Sequence, residues 1–136
     1  LHEGFFRDFG LTENGVRTTP MAPTNLAYTS YLLASVYSCS FPAALGAVLP
    51  CYWIYWEVGK ALLGHGSPNP LYQRWIDTYG GEEFADIVRD VLTLTDELGK
   101  GISGPEEARV TEHFITTARY EWMFWDMGYH QEQWAI

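Results

Sequence analysis

The sequence predicts an all-α fold, and two observations carry this prediction. Apolar residues recur at helical spacing in six stretches of the chain. No stretch shows the sustained alternation of apolar and polar residues that marks a strand, and no strand-turn-strand signal or internal repeat is visible. At 136 residues, the chain has the length of one domain. We therefore expect a single helical domain over residues 1–136.

The first part of the chain is expected to hold the end of one helix, a loop and a second helix. Residues 1–9 carry three phenylalanines at helical spacing without an N-cap in front of them, which is typical of a helix tail. Residues 10–23 are rich in Gly, Asn, Thr and Pro and predict a loop. The second helix is expected from Thr24 to about Cys39. Its hydroxyl-rich face is more typical of a core than of a site, and comprises Tyr28, Tyr31, Leu32, Ser35 and Cys39.

The third predicted helix is the most apolar segment of the chain. Ser40 is a plausible N-cap with Pro42 in the first turn, and the helix is expected to end at Gly64. Pro50 falls inside it, where the missing N–H and the bulky ring cost about 3 kcal/mol in an exposed helix. A kink immediately before Cys51 can aim its sulfur into a cavity. The alternative interpretation is that Cys51 is an ordinary small buried residue.

Three further helices complete the prediction. Asn69 can cap a helix that Gly80 and Gly81 end, and the next helix runs from Gly81 or Glu82 to Leu98. Residues 103–106, Ser-Gly-Pro-Glu, are typical of a capping box that opens a long last helix, expected to reach about Trp134.

One face of the last helix is aromatic and has a carboxylate, Glu121, at its centre. The other members of that face are Phe114, Thr117, Ala118, Phe124, Trp125 and Gly128. An enclosed charged Glu is costly unless it is paired, hydrogen-bonded or protonated, and such a residue suits acid–base chemistry. The alternative is a structural pairing of Glu121 with a Tyr or an Arg. Glu132, further along, is expected to be solvated.

Composition excludes several classes of function. The net charge of −9 with only eight Lys and Arg argues against binding to nucleic acid or to an anionic membrane. Residues 18–56 carry no charge, but four prolines interrupt this stretch and leave no run long enough to span a membrane. Cys39 and Cys51 are the only cysteines, and neither they nor the histidines have metal-ligand spacing. We expect no metal and a reducing, cytoplasmic location.

Four motifs, taken in order, resemble those of the TenA family, also called thiaminase II. They are Ala27-Tyr28-Thr29-Ser30, Leu49-Pro50-Cys51-Tyr52-Trp53 continuing to Gly59, the run from Tyr72 to Gly81, and Tyr120-Glu121 with Phe124-Trp125-Asp126-Met127. The resemblance covers nearly the whole chain. It implies a helical bundle like that of haem oxygenase, without haem or any other cofactor.

The resemblance also implies an activity and its residues. TenA proteins hydrolyse aminopyrimidines in thiamin salvage, converting 4-amino-5-aminomethyl-2-methylpyrimidine to the hydroxymethyl pyrimidine, and some cleave thiamin. Cys51 matches the family's nucleophile and Glu121 its acid/base partner, whereas Tyr28, Tyr55 and Tyr79 match tyrosines that line the pyrimidine pocket. Because a free cysteine is mostly thiol near neutrality, we expect a basic neighbour or ring hydroxyls to promote the thiolate of Cys51.

The resemblance has one departure. Family members carry several helices before the position of Leu1, including an aspartate and an aromatic residue that bind the pyrimidine, and neither can be assigned here. The acidic and aromatic residues of the first stretch lie at the wrong positions. We therefore expect the chain to correspond to the C-terminal part of a TenA protein. Two alternatives stay open, namely a non-catalytic binding or regulatory protein and a cofactor-independent oxidase of the same architecture.

The uncharged stretch of residues 18–56 generates a prediction about assembly. It holds more apolar surface than a chain of this size can enclose, and monomers rarely expose apolar patches larger than about a few hundred Å². Either the missing N-terminal helices or other subunits should cover it. Because the TenA-like proteins that this chain resembles assemble as tetramers, we predict a homo-oligomer, a tetramer, with residues 24–56 near both an interface and the pocket. Light scattering on the purified chain measures this directly. A monomer at micromolar concentration would contradict the prediction.

Overall fold

The computed structural model describes residues 2–135, and the regular structure within that range is entirely helical, which confirms the all-α prediction. Leu1, the first residue of the predicted helix tail, and Ile136 lie outside the described residues. The helices within this range are α1 (His2–Asp8), α2 (Glu13–Thr18), α3 (Pro23–Ser38), α4 (Phe41–Leu63), α5 (Pro70–Gly80), α6 (Glu82–Gly99) and α7 (Gly104–His130).

Helix α4 is the centre of the bundle and packs against α3, α5, α6 and α7. The buried part of α4 consists mainly of small residues, which let the neighbouring helices approach its backbone. Its buried residues are Ala43, Ala44, Gly46, Ala47, Leu49, Pro50 and Gly59. None of the helices within residues 2–135 is both long enough and apolar enough to cross a membrane.

The predicted starts of three helices are confirmed by their N-caps. The side chains of Ser40, Asn69 and Ser103 accept hydrogen bonds from backbone N–H groups in the first turns of α4, α5 and α7. A Pro lies at the first or second position of each helix, where its missing N–H costs nothing. Local sequence signals therefore fix where these helices begin.

Two predicted boundaries are wrong. The expected loop over residues 10–23 contains α2, because Thr12 caps it by accepting from the Gly15 N–H at 3.1 Å. The Gly, Asn and Pro content of the stretch obscured this short helix. Helix α7 ends at His130 rather than near Trp134, because Gln131 adopts the left-handed conformation, with φ 52°, that terminates helices.

The capping box predicted at the start of α7 is only half formed. Ser103 Oγ accepts from the Glu106 N–H at 3.4 Å, but the Glu106 carboxylate does not return to Ser103. It accepts from Ser40 Oγ, the N-cap of α4, and pairs with Arg109 instead. The side chain of Glu106 thus ties the start of α7 to the start of α4.

Glu132 is not solvated as expected, but holds the start of α3. Its carboxylate accepts from Thr24 N–H at 2.9 Å and from Thr24 Oγ1 at 3.1 Å. The N-cap of α3, Ala22, provides no side-chain acceptor, so Glu132 takes over the capping role from the segment after α7. Trp134 supports the contact by donating from Nε1 to the Met21 carbonyl at 2.9 Å.

Helices α4 and α5 approach each other at a pair of glycines. A Cβ atom on Gly59 would lie 2.5 Å from the backbone N of Gly80 and 2.5 Å from the carbonyl carbon of Tyr79. A Cβ atom on Gly80 would lie 2.9 Å from the Gly59 carbonyl oxygen. The absence of side chains at both positions is therefore what allows the two backbones to touch.

We predict that Gly59→Ala destabilises the chain, because the added methyl group must push α5 away from α4. Overpacking of this kind costs about 1–3 kcal/mol in free energy of unfolding. The matched control is Gly128→Ala in α7, where a Cβ atom meets nothing within 4 Å and where alanine should add about 1 kcal/mol through helix propensity. Urea unfolding followed by circular dichroism measures both. Equal midpoints for the two variants would contradict the close approach.

Candidate active site

The five residues singled out by sequence line a single cavity of about 520 Å³ between α3, α4, α5 and α7. They are Tyr28, Cys51, Tyr55, Tyr79 and Glu121. Another cavity, of about 500 Å³ between α1, α4 and α5, is lined mainly by apolar and aromatic side chains and contains neither the thiol nor the carboxylate. The side chains that can take part in a reaction, the thiol and the carboxylate, therefore lie together in the first cavity.

A short hydrogen-bonded chain joins the thiol to the carboxylate. Tyr28 Oη lies 2.9 Å from Cys51 Sγ and donates to Glu121 Oε1 at 2.5 Å. Because the hydroxyl proton is engaged with Glu121, the thiol must donate to the tyrosine oxygen. Tyr28 and Glu121 are only 5% and 2% exposed, so the bond between them is shielded from water, whereas Cys51 is half-buried. Glu121 is thus paired with a tyrosine, and that tyrosine also contacts the thiol.

Three helices supply the three members of this chain, and packing contacts hold α3 and α4 against α7. Tyr28 of α3 stacks on Tyr120 of α7 with a ring-centroid distance of 5.3 Å and an interplanar angle of 8°. Cys51 follows the buried Pro50 in the middle of α4. A Cβ atom on Gly46, one turn earlier, would lie 2.8 Å from the Val110 side chain of α7. The proline defect therefore falls where α4 lies directly against α7.

Aromatic rings form another wall of the cavity. Tyr55 is the hub, with ring-centroid distances of 5.0 Å to Tyr79, 5.4 Å to Trp125 and 5.9 Å to Trp75. Phe84 of α6 meets the Tyr79 ring edge to face at 4.9 Å. Rings packed at these distances fix one another, and they offer flat apolar surface to a planar ligand.

Burial sets the protonation of the site in the absence of a ligand. It raises the pKa of the Cys51 thiol from 9.0 to about 12. Burial, followed by the bonds to Cys51 and Glu121, also raises the pKa of Tyr28. The pKa of Tyr55 is raised by burial and then by the charge of Glu121. The expected promotion of the Cys51 thiolate is therefore wrong for the resting site, which holds a thiol.

Sequence reasoning missed several lining residues. Asn25 lies one turn before Tyr28 on α3 and Trp75 one turn before Tyr79 on α5, so helical spacing from the chosen tyrosines would have found both. Thr29, directly after Tyr28, also lines the cavity, and that spacing does not find it. His2 of α1 also lines the cavity, and no local pattern connects it with the site. No group of three metal-ligating side chains occurs within the described part of the chain.

Comparisons with known proteins agree with this architecture. The model of the TENA/THI-4/PQQC family matches residues 1–131. The aminopyrimidine aminohydrolase of Bacillus subtilis is 38% identical over 135 residues, which are 99% of this chain and 57% of that protein. The aminopyrimidine aminohydrolase of Halalkalibacterium halodurans is 37% identical over 98% of this chain and 61% of its own length.

A solved structure gives the same fold. The crystal structure of a TenA family transcription regulator from Silicibacter sp. TM1040 matches with a TM-score of 0.85 and 34% identity. The match covers 93% of this chain and 59% of that one. The chain thus spans about 60% of the length of the relatives it matches.

The raised pKa of Cys51 generates a prediction about alkaline stability. Between pH 9 and about pH 12 the unfolded thiol ionises while the folded thiol keeps its proton, so rising pH favours the unfolded state. The free energy of unfolding should therefore fall more steeply in this window for the wild type than for Cys51→Ser. Urea unfolding at a series of pH values measures both slopes. Parallel curves would contradict the raised pKa.

Proposed function

The chain belongs to the TENA/THI-4/PQQC family, and we propose that it carries the catalytic thiol and carboxylate of an aminopyrimidine aminohydrolase. The observation that carries the proposal is the bonded chain from Cys51 through Tyr28 to Glu121 inside an aromatic cavity. The names of the Bacillus subtilis and Halalkalibacterium halodurans relatives support the reaction. The proposed reaction replaces the amine of the 5-aminomethyl group of 4-amino-5-aminomethyl-2-methylpyrimidine with hydroxyl and yields the hydroxymethyl pyrimidine.

Formation of the nucleophile is the first proposed step. The thiol of Cys51 passes its proton to Tyr28 Oη while Tyr28 passes its own proton to Glu121, so the negative charge moves from the carboxylate to the sulfur. The distances of 2.9 Å and 2.5 Å suit this concerted transfer. Since the resting pKa of Cys51 is about 12, the transfer requires the bound substrate to accept the sulfur as it forms.

The remaining steps return both protons. The sulfur bonds to an electron-poor ring carbon, and Glu121 delivers its proton to a ring nitrogen, which keeps the adduct neutral. The amine of the aminomethyl group then leaves the exocyclic carbon as ammonia, and the water that adds to this carbon as hydroxyl supplies the proton that ammonia needs. Loss of the ring proton to Glu121 expels the thiolate, which Tyr28 reprotonates as Glu121 returns that proton to Tyr28. The net change is one water consumed and one ammonia released.

The aromatic wall accounts for substrate class. Tyr55 and Tyr79 line the cavity, and side chains that combine an aromatic ring with a hydroxyl suit a small planar heterocycle with polar edges. Thiamin, whose pyrimidine carries a thiazole on the same exocyclic carbon, is the second proposed substrate because the thiazole can leave in place of the amine. We also propose the predicted homotetramer and a cytoplasmic location for the protein.

A regulatory role is the second candidate function, since the Silicibacter structure is described as a transcription regulator. A net charge of −9 disfavours direct contact with DNA, so such a role would act through bound pyrimidine. A cofactor-independent oxidase is the third possibility retained from the sequence. Release of hydroxypyrimidine without oxygen consumption separates the hydrolase from both alternatives.

We predict that Cys51→Ser abolishes release of the hydroxymethyl pyrimidine while the fold is kept, because a serine hydroxyl is a far weaker nucleophile near neutral pH. Tyr28→Phe keeps the ring stack on Tyr120 but breaks the proton route, and should lower kcat by about 10²-fold. Cys39→Ser is the matched thiol control and should change stability rather than rate. Liquid chromatography of the products gives the rates. Near-normal kcat in Cys51→Ser would overturn the covalent mechanism.

A further inference from the structure

The second cysteine of the chain has an imidazole beside it. Cys39 is the C-cap residue of α3, and its Sγ lies 3.4 Å from Nε2 of His113 on α7. The other ring nitrogen of His113, Nδ1, lies 2.8 Å from Oη of Tyr31. Cys39 and His113 are 74 residues apart in sequence, so only the packing of α3 against α7 brings them together.

The geometry is that of a nucleophile, a base and a group that orients the base. When Nδ1 of His113 carries the hydrogen and donates it to Tyr31 Oη, Nε2 presents its lone pair to the thiol. The thiol can then give its proton to the ring and become a thiolate beside an imidazolium. Thiolates formed in this way are the reactive species in thiol chemistry.

The base is held in place by aromatic packing. Tyr31 and His113 have ring centroids 5.7 Å apart, and Tyr31 also meets Tyr120 at 5.7 Å. His113 and Tyr31 are half-buried, as is Cys39. The thiol–imidazole pair is therefore fixed by neighbours on two helices, and Cys39 keeps part of its surface accessible to a reagent.

Cys39 also lies in the wall of an apolar groove of about 420 Å³. Phe41 and Val36 at its rim are 61% and 53% exposed, so the groove is open to solvent. Leu45, Val48 and Val91, which are half-buried, also line it. An organic reagent with an apolar arm can place that arm in the groove and bring its reactive atom to Cys39.

We propose that Cys39 is a modification site, at which a thiol activated by His113 exchanges with organic disulfides that carry an apolar arm. The Cys39 proton moves to Nε2 of His113, and the thiolate attacks one sulfur of the disulfide. A new S–S bond forms to Cys39 as the old S–S bond breaks, and the leaving thiolate takes the proton from His113. Excess thiol reverses the exchange by the same route.

The test uses the full chain carrying Cys51→Ser, so that Cys39 is the sole thiol. The probe is 4,4′-dithiodipyridine, a neutral aromatic disulfide whose released thiopyridone absorbs in the ultraviolet. We expect one adduct per chain by mass spectrometry, on the peptide that contains Cys39. We expect His113→Gln to slow the reaction near neutral pH by about tenfold or more, because glutamine cannot accept the proton.

Two controls distinguish activation of the Cys39 thiol by His113 from a general effect of the substitution on the fold. In denaturant the His113→Gln chain should react as fast as its parent, because unfolding removes the pairing from both. Tyr31→Phe keeps the ring packing, removes the hydroxyl that orients His113, and should also slow the reaction in the folded chain, which keeps the proposal testable if His113→Gln fails to fold. Equal folded rates in the parent and in a folded His113 variant would overturn the proposal.

The groove is tested with a second probe. Bis(2-hydroxyethyl) disulfide is small and polar, so the folded chain should favour the aromatic probe over it more strongly than the unfolded chain does. The rate constant for the aromatic probe divided by that for the polar probe is measured in the folded chain and again in the unfolded chain, and the two ratios are compared. An unchanged ratio would overturn the part of the proposal that assigns the apolar arm to the groove.

Discussion

The site depends on the burial of one carboxylate. Glu121 is 2% exposed, and a charge in such a place costs several kcal/mol unless hydrogen bonds replace the lost water. The Tyr28 hydroxyl supplies a bond of 2.5 Å, and this bond constrains α3 and α7 to a fixed separation. Cys51 is then positioned by the helix between them. The hydrogen bond that offsets the cost of burying the Glu121 carboxylate therefore also helps to position the Cys51 thiol.

Small residues in α4 make this alignment possible. Each glycine in a helix interior costs about 1 kcal/mol in propensity, and a proline costs more. Gly46, Pro50 and Gly59 nevertheless lie in α4, and two of them mark places where a neighbouring helix touches its backbone. The packing gained where the backbones touch offsets the helix stability that these glycines and the proline cost. The cavity lies where these approaches bring rings from α5 and α7 around the thiol.

The features that could be predicted from sequence are those with local signals. Caps and prolines located the starts of α4, α5 and α7, and the aromatic face around Glu121 marked a residue that the structure buries. The features that could not be predicted are contacts between distant residues. The ties from Glu106 to Ser40 and from Cys39 to His113 join residues 66 and 74 positions apart. The periodicity of the sequence does not predict such pairs, because it depends only on residues within one helix.

The bond between Glu132 and Thr24 joins residues that are 108 positions apart, most of the length of the described chain. Contacts this distant form only after the intervening helices have docked, since closing a long loop costs entropy that local contacts do not repay. We therefore expect the first turn of α3 to be among the last parts completed during folding. Tyr28 lies one turn further along the same helix. We therefore expect the bond between Tyr28 and Glu121 to form late in folding, even though both side chains are buried.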